Sequence, residues 1–331
     1  MLVLALACSR KTPHAPDHPE SKPAAASAAG PAPSAAPTPT EELVAPTHLL
    51  SLPVSAYAIV LELDGDQAFL LTRTAAYCLE AGQPAHKLDL DLGIGPVLAP
   101  SGIVFWSKGA IWSASKQSKT VWHLAAAAQQ PEYFVASETG FAWLDRVDNG
   151  PYRIQTLQGH KPRVIVSSQE ELSALHMIHD WIFFVQRMPG RSWRIGRVGL
   201  SGGEVQYTDP RSSATPAMLS GKESLAYYDM DRSAIFRVTP DLKSENAWLN
   251  DFVCSPIYEA KNIYCSRVEG LFEILAQTSQ PRVLTFGRRE TITAIRANSK
   301  QIVWTVDAGP DQLVVEMLPV QASASGSLPI E

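Results

Sequence analysis

Histidines and carboxylates are the first residues that could do chemistry in this 331-residue chain. The segment HMIHD, from His176 to Asp180, places two imidazoles three positions apart with a carboxylate beside them. On a helix this spacing would put both histidines on one face, where they could bind a metal ion. The segment instead has the pattern of a strand that runs into a turn, in which residues three apart point to opposite faces. We therefore predict no metal and no cofactor here.

A second candidate is the acidic segment DRVDNGPY, residues 145–152, whose side-chain oxygens are of the kind that calcium prefers. It holds only two carboxylates, and no bidentate glutamate follows at the spacing of a calcium loop. Asn149 and Gly150 form a common tight-turn pair, so we interpret the segment as a turn. The chain has no GxSxG, P-loop or dinucleotide-binding motif, and we predict no catalytic residue.

The elements that must position any site follow an internal repeat. Seven short apolar segments recur at steps of 36, 37, 41, 43, 38 and 39 residues, and a second strand follows each one. Their central residues are Phe69, Phe105, Ala142, Phe183, Ala226, Tyr264 and Val303. A less regular strand precedes each segment and a further strand follows in most repeats. Four strands repeating about every 40 residues are typical of a β-propeller, so we predict an all-β, seven-bladed β-propeller, with six or eight blades as alternatives.

The ring must also close. The last repeat has three recognisable strands that end near Leu318, and THLLSL, residues 47–52, has the pattern of an isolated strand. We predict that this strand joins the last blade and removes a free sheet edge. The propeller would then span residues 47–318, with a flexible tail at 319–331.

Two segments suggest a propeller family. LAYYDMDRSAIFRV, residues 225–238, resembles the YWTD-type repeat, and NIYCSRVEGLFEI, residues 262–274, keeps the same rhythm. Similar repeats occur in bacterial TolB-like propellers. The resemblance implies a propeller fold, but such folds include enzymes, scaffolds and sensors, so it does not imply a function.

The three cysteines of the predicted propeller bear on the cellular compartment of the protein. If the first two strands of the sixth repeat pair through a turn near Glu259 and Ala260, Cys254 and Cys265 lie nearly opposite each other and could form a disulfide. A register shift of one residue would forbid that bond. A disulfide suits an oxidising periplasm. We interpret Cys78 as a buried apolar residue, since no histidine is placed in the sequence as its obvious partner.

The N-terminus carries the strongest signal for location. Ala5-Leu6-Ala7-Cys8 follows a short apolar run and resembles the lipobox of a bacterial lipoprotein signal peptide, which implies lipidation at Cys8. Residues 11–46 contain nine prolines and ten alanines in 36 positions and no aromatic residue, as in a disordered tether. We predict a signal peptide at 1–8 and a linker at 9–46. An apolar terminus with a chance cysteine is the alternative.

These features together predict an envelope protein anchored by lipid. Ser9 after Cys8 favours the outer membrane, facing the periplasm or the cell surface. The net charge of −5 and the sequence pI of about 5.9 give no overall attraction to nucleic acid. No later apolar run approaches the roughly 20 residues of a membrane span.

One pattern suggests a binding surface. A basic residue follows the central segment in six of the seven repeats: Arg73, Lys108, Arg146, Arg187, Arg232 and Arg267. Turns at this position emerge on one face of a propeller, so these residues could form a ring around one mouth of the channel. The alternative is that they are ordinary solvated turn residues, with their field cancelled by nearby aspartates.

Two functions therefore remain open. The first is an interaction module that binds an envelope protein or an anionic polymer, which we favour. The second is an enzyme or small-ligand binder with its site at the channel mouth. An enzyme should show convergent titratable groups on the inner strands, and none is evident from the sequence.

The anchor can be tested directly. Cells labelled with a fatty-acid analogue should incorporate it into this protein, because the Cys8 thiol is the expected acceptor. The substitution Cys8→Ser should abolish the label, whereas Cys78→Ser should not. Persistence of the label in the Cys8→Ser variant would show that the protein is not lipidated at this cysteine.

Overall fold

The computed structural model describes residues 45–53, 59–127, 129–216, 219–250, 254, 257–267, 270–275, 281–286, 291–309 and 312–320. The predicted lipobox with Cys8, the predicted linker up to residue 44 and the end of the predicted tail from residue 321 lie outside the described residues. The described part of the chain is built mainly of strands joined by turns, with one short 3₁₀ helix at Pro189–Arg191, and contains no α-helix. It therefore holds no helix with the length and hydrophobicity of a membrane span.

The first three blades are antiparallel sheets of four strands each. Blade 1 contains β2 (Val60–Asp64), β3 (Gln67–Leu71), β4 (Ala75–Leu79) and β5 (His86–Asp89). Blade 2 contains β6 (Ile94–Ala99), β7 (Gly102–Ser107), β8 (Ala110–Ala114) and β9 (Val121–Ala126). Blade 3 contains β10 (Tyr133–Ser137), β11 (Gly140–Arg146), β12 (Tyr152–Gln158) and β13 (Lys161–Ser168).

The other blades vary more. Blade 4 contains β14 (Leu172–Ile178), β15 (Trp181–Met188), β16 (Ser192–Gly199) and the short β17 (Gln206–Tyr207). Blade 5 contains β18 (Leu225–Asp229), β19 (Ala234–Val238) and β20 (Glu245–Asn250), and a single bridge from Ser220 to Ala226 supplies its inner edge. Blade 6 contains β21 (Ile257–Glu259), β22 (Ile263–Arg267), β23 (Gly270–Ile274) and β24 (Pro281–Phe286). Blade 7 contains β25 (Thr291–Ala297), β26 (Gln301–Gly309), β27 (Gln312–Pro319) and β1 (Thr47–Leu52).

The second strand of each blade forms the core of its sheet because its residues are apolar on both faces. Phe183 on β15 and Val303 on β26 have no exposed surface. Tight turns end these strands. Between β7 and β8, Lys108 and Gly109 both have positive φ, 52° and 77°, as in a two-residue hairpin turn of type I′. That geometry holds Lys108 at the tip of its hairpin.

Blade-to-blade packing produces the ring. Seven hydrophobic clusters occur among the described residues, and each is shared between two neighbouring blades. Contacts between inner strands run from β25 to β2, β6, β10 and β14, and in blade 5 the second strand β18 contacts the inner strand β21, which contacts β25. The prediction of an all-β, seven-bladed propeller is confirmed, and six or eight blades are excluded.

The ring closes as predicted from the isolated strand near the start of the body. β1 pairs with β27, from Thr47 opposite Met317 to Leu52 opposite Leu313. Leu52 is buried in a cluster that blade 7 shares with blade 1. The chain thus contributes the outer strand of its last blade before it builds the first.

Polar contacts reinforce the junction of blades 7 and 1, which we call the seam. Asn298 Nδ2 donates to the Gly65 carbonyl at 2.8 Å, and Lys300 Nζ lies 2.7 Å from the Asp66 carboxylate. At the other end of blade 7, Pro319 is the last residue of β27 and the Val320 amide donates to the Lys300 carbonyl. The contacts of blade 7 thus include Val320, one residue after the end of β27.

Closure predicts different costs for two truncations. Removing residues 1–46 should leave the melting temperature nearly unchanged, because it removes none of the described strands. Removing residues 1–52 also takes away β1, exposes the edge of β27 and uncovers the apolar surface beneath Leu52. We expect a loss of ~3 kcal/mol or more, or a fall of roughly 5–10 °C in melting temperature. Equal melting curves for the two truncations would contradict the closing role of β1.

Candidate functional site

The inner strands bring polar residues together at one level of the central channel. Each blade except blade 2 pairs the central residue of its second strand with a defined residue on the inner strand. These inner partners are Glu62, Val135, His176, Ser220, Tyr258 and Arg296. Since each of the six lies opposite the central residue of the second strand in its blade, they occupy equivalent positions around the axis. We call Glu62, His176, Tyr258 and Arg296, which carry titratable side chains, the channel cluster.

Arg296 and Glu62 form an ion pair across the seam. The guanidinium donates from Nε at 3.3 Å and from Nη2 at 3.1 Å to the two oxygens of the Glu62 carboxylate. Both side chains keep 28% of their surface exposed, as expected for groups that border a channel. Burial disfavours the charged guanidinium, but the charge and hydrogen bond of Glu62 outweigh it and raise the pKa of Arg296. The Arg296 guanidinium is therefore charged.

Tyr258 lies beside this pair on the inner strand of blade 6. The Arg296 guanidinium carbon is 5.3 Å from the centre of the Tyr258 ring, within the range of a cation–π contact. Burial raises the pKa of the phenol to about 12, so the hydroxyl stays protonated. Among the described residues this hydroxyl has no hydrogen-bond partner. It can both donate to and accept from another molecule.

His176 completes the channel cluster from blade 4. Its Nε2 lies 2.6 Å from the Gly221 carbonyl oxygen, which can only accept, so Nε2 carries the proton and Nδ1 is left as an acceptor. Burial lowers the pKa of His176 to about 4, and the charge of Arg296 adds to this effect while the Gly221 bond and Glu62 oppose it. The imidazole is neutral at pH 7.

The Gly221 carbonyl is held in place by the carboxylate of Glu259. That fully buried carboxylate accepts from the backbone amides of Lys222, Glu223 and Ser224, each at 3.1 Å, and from the Ser224 hydroxyl at 2.9 Å. Gly221 has φ of 145°, and a Cβ there would lie 1.8 Å from the Ser224 carbonyl oxygen. Only glycine fits, so the partner of His176 is fixed by the loop itself.

Arg73, Lys108 and Arg232 lie in the turns after the second strands, and Arg146, Arg187 and Arg267 lie at or next to the ends of the second strands β11, β15 and β22. The turns after the second strands emerge on one face of the propeller. We call it the turn face. Three of these residues have local partners: Arg187 Nη1 lies 3.1 Å from Glu171, Arg232 Nε lies 3.8 Å from Asp229, and Arg146 donates to the Tyr152 hydroxyl at 3.0 Å. The charges of Arg187 and Arg232 are therefore partly compensated by carboxylates of their own blades, whereas Arg146 bonds to a neutral hydroxyl.

The other three are placed differently. Arg267 lies over the Phe272 ring at 5.9 Å. Arg73 and Lys108 are exposed on adjacent blades and form no ion pair with the described residues. The turn face also exposes two large apolar side chains, Tyr133 at 46% and Met230 at 70%. The face thus combines available positive charge with exposed apolar surface.

The other predicted candidates are separated from the channel cluster. His179 follows β14 in an exposed turn and contacts Glu138, so HMIHD places only His176 in the channel. Asp145 is buried and accepts from Arg153 at 2.9 Å and from Gln155, which leaves the DRVDNGPY segment as a turn. No group of three or more His, Cys, Asp or Glu residues in the described ranges could hold a metal ion.

The cysteines have defined positions. Cys254 and Cys265 are joined by a disulfide, with their Cα atoms 5.7 Å apart. The strand register places Ile257 opposite Cys265, and Cys254 precedes β21 instead of lying within it. Cys78 is free, and burial first and then Glu80 and Asp64 raise the pKa of its thiol. A histidine that the sequence did not indicate, His86, lies opposite it on β5.

Solved structures share this architecture. An oligogalacturonate lyase in complex with manganese matches with a TM-score of 0.61 at 12% identity, over 82% of this chain and 91% of that one. An oligogalacturonate lyase from Vibrio parahaemolyticus matches with a TM-score of 0.59 at 9% identity, over 82% of this chain and 97% of that one. The AfRom2 CNH domain matches with a TM-score of 0.52 at 10% identity, over 83% of this chain and 99% of that one. These likenesses show the fold alone. No protein-family model matches the chain, and no curated protein is significantly similar to it.

The sequence did not reveal three of the four channel residues. Glu62 and Arg296 each follow an apolar residue, in VLELD and TITAIRA, and Tyr258 lies between Ile257 and Glu259, so no local motif joins them. The signal that could have found them is a single polar residue at the same place in successive inner strands. It becomes visible only once the register of the blades is known.

The low pKa of His176 predicts acid sensitivity. The ordinary pKa is 6.5 and the folded value is about 4, so protonation opposes folding as the pH falls from about 6.5 toward 4. Above pH 6.5 the penalty is absent, and near pH 4 it should reach on the order of 3 kcal/mol. Chemical unfolding across this range should show a shallower pH dependence for His176→Gln, whose amide can still donate to Gly221.

The control is His160→Gln, which removes an exposed histidine from a turn of blade 3. This variant should keep the pH dependence of the unsubstituted protein. A His176→Gln variant with an unchanged slope would contradict the buried, neutral state of His176.

Proposed function

We propose that this protein is a lipid-tethered β-propeller of the bacterial envelope that binds an anionic partner through its turn face. The lipobox at Cys8 and the Pro/Ala-rich linker support the tether. The disulfide between Cys254 and Cys265 supports an oxidising compartment, where such bonds persist. A rigid disc on a long linker is suited to presenting one of its faces to another component of the envelope.

The observation that carries this proposal is the composition of the turn face. Exposed Arg73 and Lys108 accompany exposed Tyr133 and Met230 on that face. Arginine, tyrosine and methionine are enriched in protein interfaces, because they combine a large contact area with directional polar groups. Basic residues without ion-pair partners also favour an acidic protein or an anionic polymer of the envelope.

Catalysis is the less supported alternative. The lyases among the structural neighbours share too little sequence with this chain to carry an activity over to it. The channel cluster does provide convergent polar groups, which favours a second role as a small-ligand site.

The turn face can be tested by reversing its charge. The double variant Arg73→Glu, Lys108→Glu should bind poly-L-glutamate about tenfold more weakly than the unsubstituted domain in low salt, because two attractive contacts become repulsive. Biolayer interferometry with the immobilised domain measures this affinity. Raising the salt concentration should also weaken binding of poly-L-glutamate by the unsubstituted protein, since salt screens exposed charges.

A matched control changes the same charge on the opposite face. Lys119 lies in the turn between β8 and β9, and Lys161 is the first residue of β13 after the turn from β12; both are exposed. The double variant Lys119→Glu, Lys161→Glu should retain binding. Equal binding by the unsubstituted domain and both double variants, or binding that salt does not affect, would contradict the proposal. It would show that Arg73 and Lys108 are ordinary solvated turn residues.

A further inference from the structure

Hydrogen-bonding capacity remains unused inside the channel. The Tyr258 hydroxyl has no partner among the described residues. Arg296 uses Nε and Nη2 for Glu62 and Nη1 for the Ile295 carbonyl at 2.9 Å, which leaves one N–H on each terminal nitrogen. The Nδ1 atom of His176 is an acceptor. Donors and acceptors thus converge on one level from blades 4, 6 and 7.

A purely structural role explains only part of this arrangement. The Arg296–Glu62 pair ties blade 7 to blade 1, and the bond from His176 to Gly221 ties blade 4 to blade 5. Neither contact needs the Tyr258 hydroxyl, because phenylalanine would stack under Arg296 equally well. The Tyr258 hydroxyl is not one of the fully buried polar atoms that lack a partner among the described residues, so it borders the channel and can bond to a molecule that enters there.

The charge of the channel cluster restricts the chemistry of that molecule. The charges of Arg296 and Glu62 cancel, and His176 and Tyr258 are neutral at pH 7. An anion would gain from Arg296 but be repelled by Glu62. A divalent cation would find one free imidazole nitrogen and a carboxylate already paired with arginine, which is a poor set of ligands. A neutral molecule with several hydroxyl groups meets neither difficulty.

We propose that the central channel binds a neutral carbohydrate, with Tyr258, Arg296 and Nδ1 of His176 as its hydrogen-bonding groups. Sugar hydroxyls donate and accept, so they match the mixed set of N–H donors, the phenol and the imidazole acceptor. Glu62 keeps the Arg296 guanidinium oriented and balances its charge, which makes it a positioning residue. This site is separate from the turn face and does not depend on the proposed partner there.

Saturation-transfer difference NMR tests the site with lactose, maltose and N-acetylglucosamine as neutral probes and digalacturonate as the anionic comparison. At least one neutral sugar should give a saturable signal with the unsubstituted protein at pH 7. Tyr258→Phe removes one hydroxyl that bonds no described residue, so the variant should keep its melting temperature. Its affinity for that sugar should fall about tenfold. Tyr133→Phe, on the turn face, is the matched control and should bind normally.

A second measurement locates the bound sugar. Comparison with Tyr258→Phe assigns the Tyr258 ring resonances, and these should shift as the sugar is added. Three results would each overturn the proposal: no saturable signal from any neutral probe, equal affinity in the Tyr258→Phe variant, or tighter binding of digalacturonate than of the neutral sugars. Charge reversal of Arg73 and Lys108 should leave sugar binding unchanged, which separates this site from the turn face.

Discussion

Packing between neighbouring blades is the interaction on which the rest of this structure depends. A single four-stranded blade is apolar on both faces and cannot bury either face alone. Each of the seven hydrophobic clusters in the described residues draws on two blades, so every blade needs both of its neighbours. Every blade has both of its neighbours only when the ring closes. Closure depends on β1, because this strand covers the edge of β27 and brings Leu52 into the cluster shared with blade 1.

The channel cluster is a product of that closure. Glu62 and Arg296 are 234 positions apart in sequence and meet only because blade 7 docks against blade 1. Asn298 and Lys300 extend the same junction to the turn at Gly65 and Asp66. The seam therefore combines two roles: it holds the ring shut and it sets the orientation of the guanidinium in the channel. Loosening the seam would disturb the polar groups of the channel before it disturbed the blades themselves.

The features of the fold that could be predicted from the sequence are those that depend on local patterns of apolar residues. The spacing of apolar strands specified seven blades, and the isolated segment near Thr47 specified how the ring closes. The register of the strands and the contacts between residues distant in sequence became known only from the structure. Cys265 lies opposite Ile257, whereas the sequence predicted Cys254 nearly opposite it, and the bases at Arg187 and Arg232 lie beside Glu171 and Asp229. These outcomes depend on the exact strand register and on side-chain directions, which apolar periodicity does not determine.

The channel and the turn face would recognise their ligands by different physical means. In the channel, the His176, Tyr258 and Arg296 side chains stand on inner strands whose register is fixed, and the Glu259 carboxylate fixes the loop that orients His176. Such groups select a ligand by geometry, because they cannot move to meet a poorly matched one. On the turn face, Arg73 and Lys108 are long side chains in solvent, where attraction is weakly directional and screened by salt. A rigid centre beside an adaptable surface allows a specific small-molecule site and a broader macromolecular contact to coexist in one propeller.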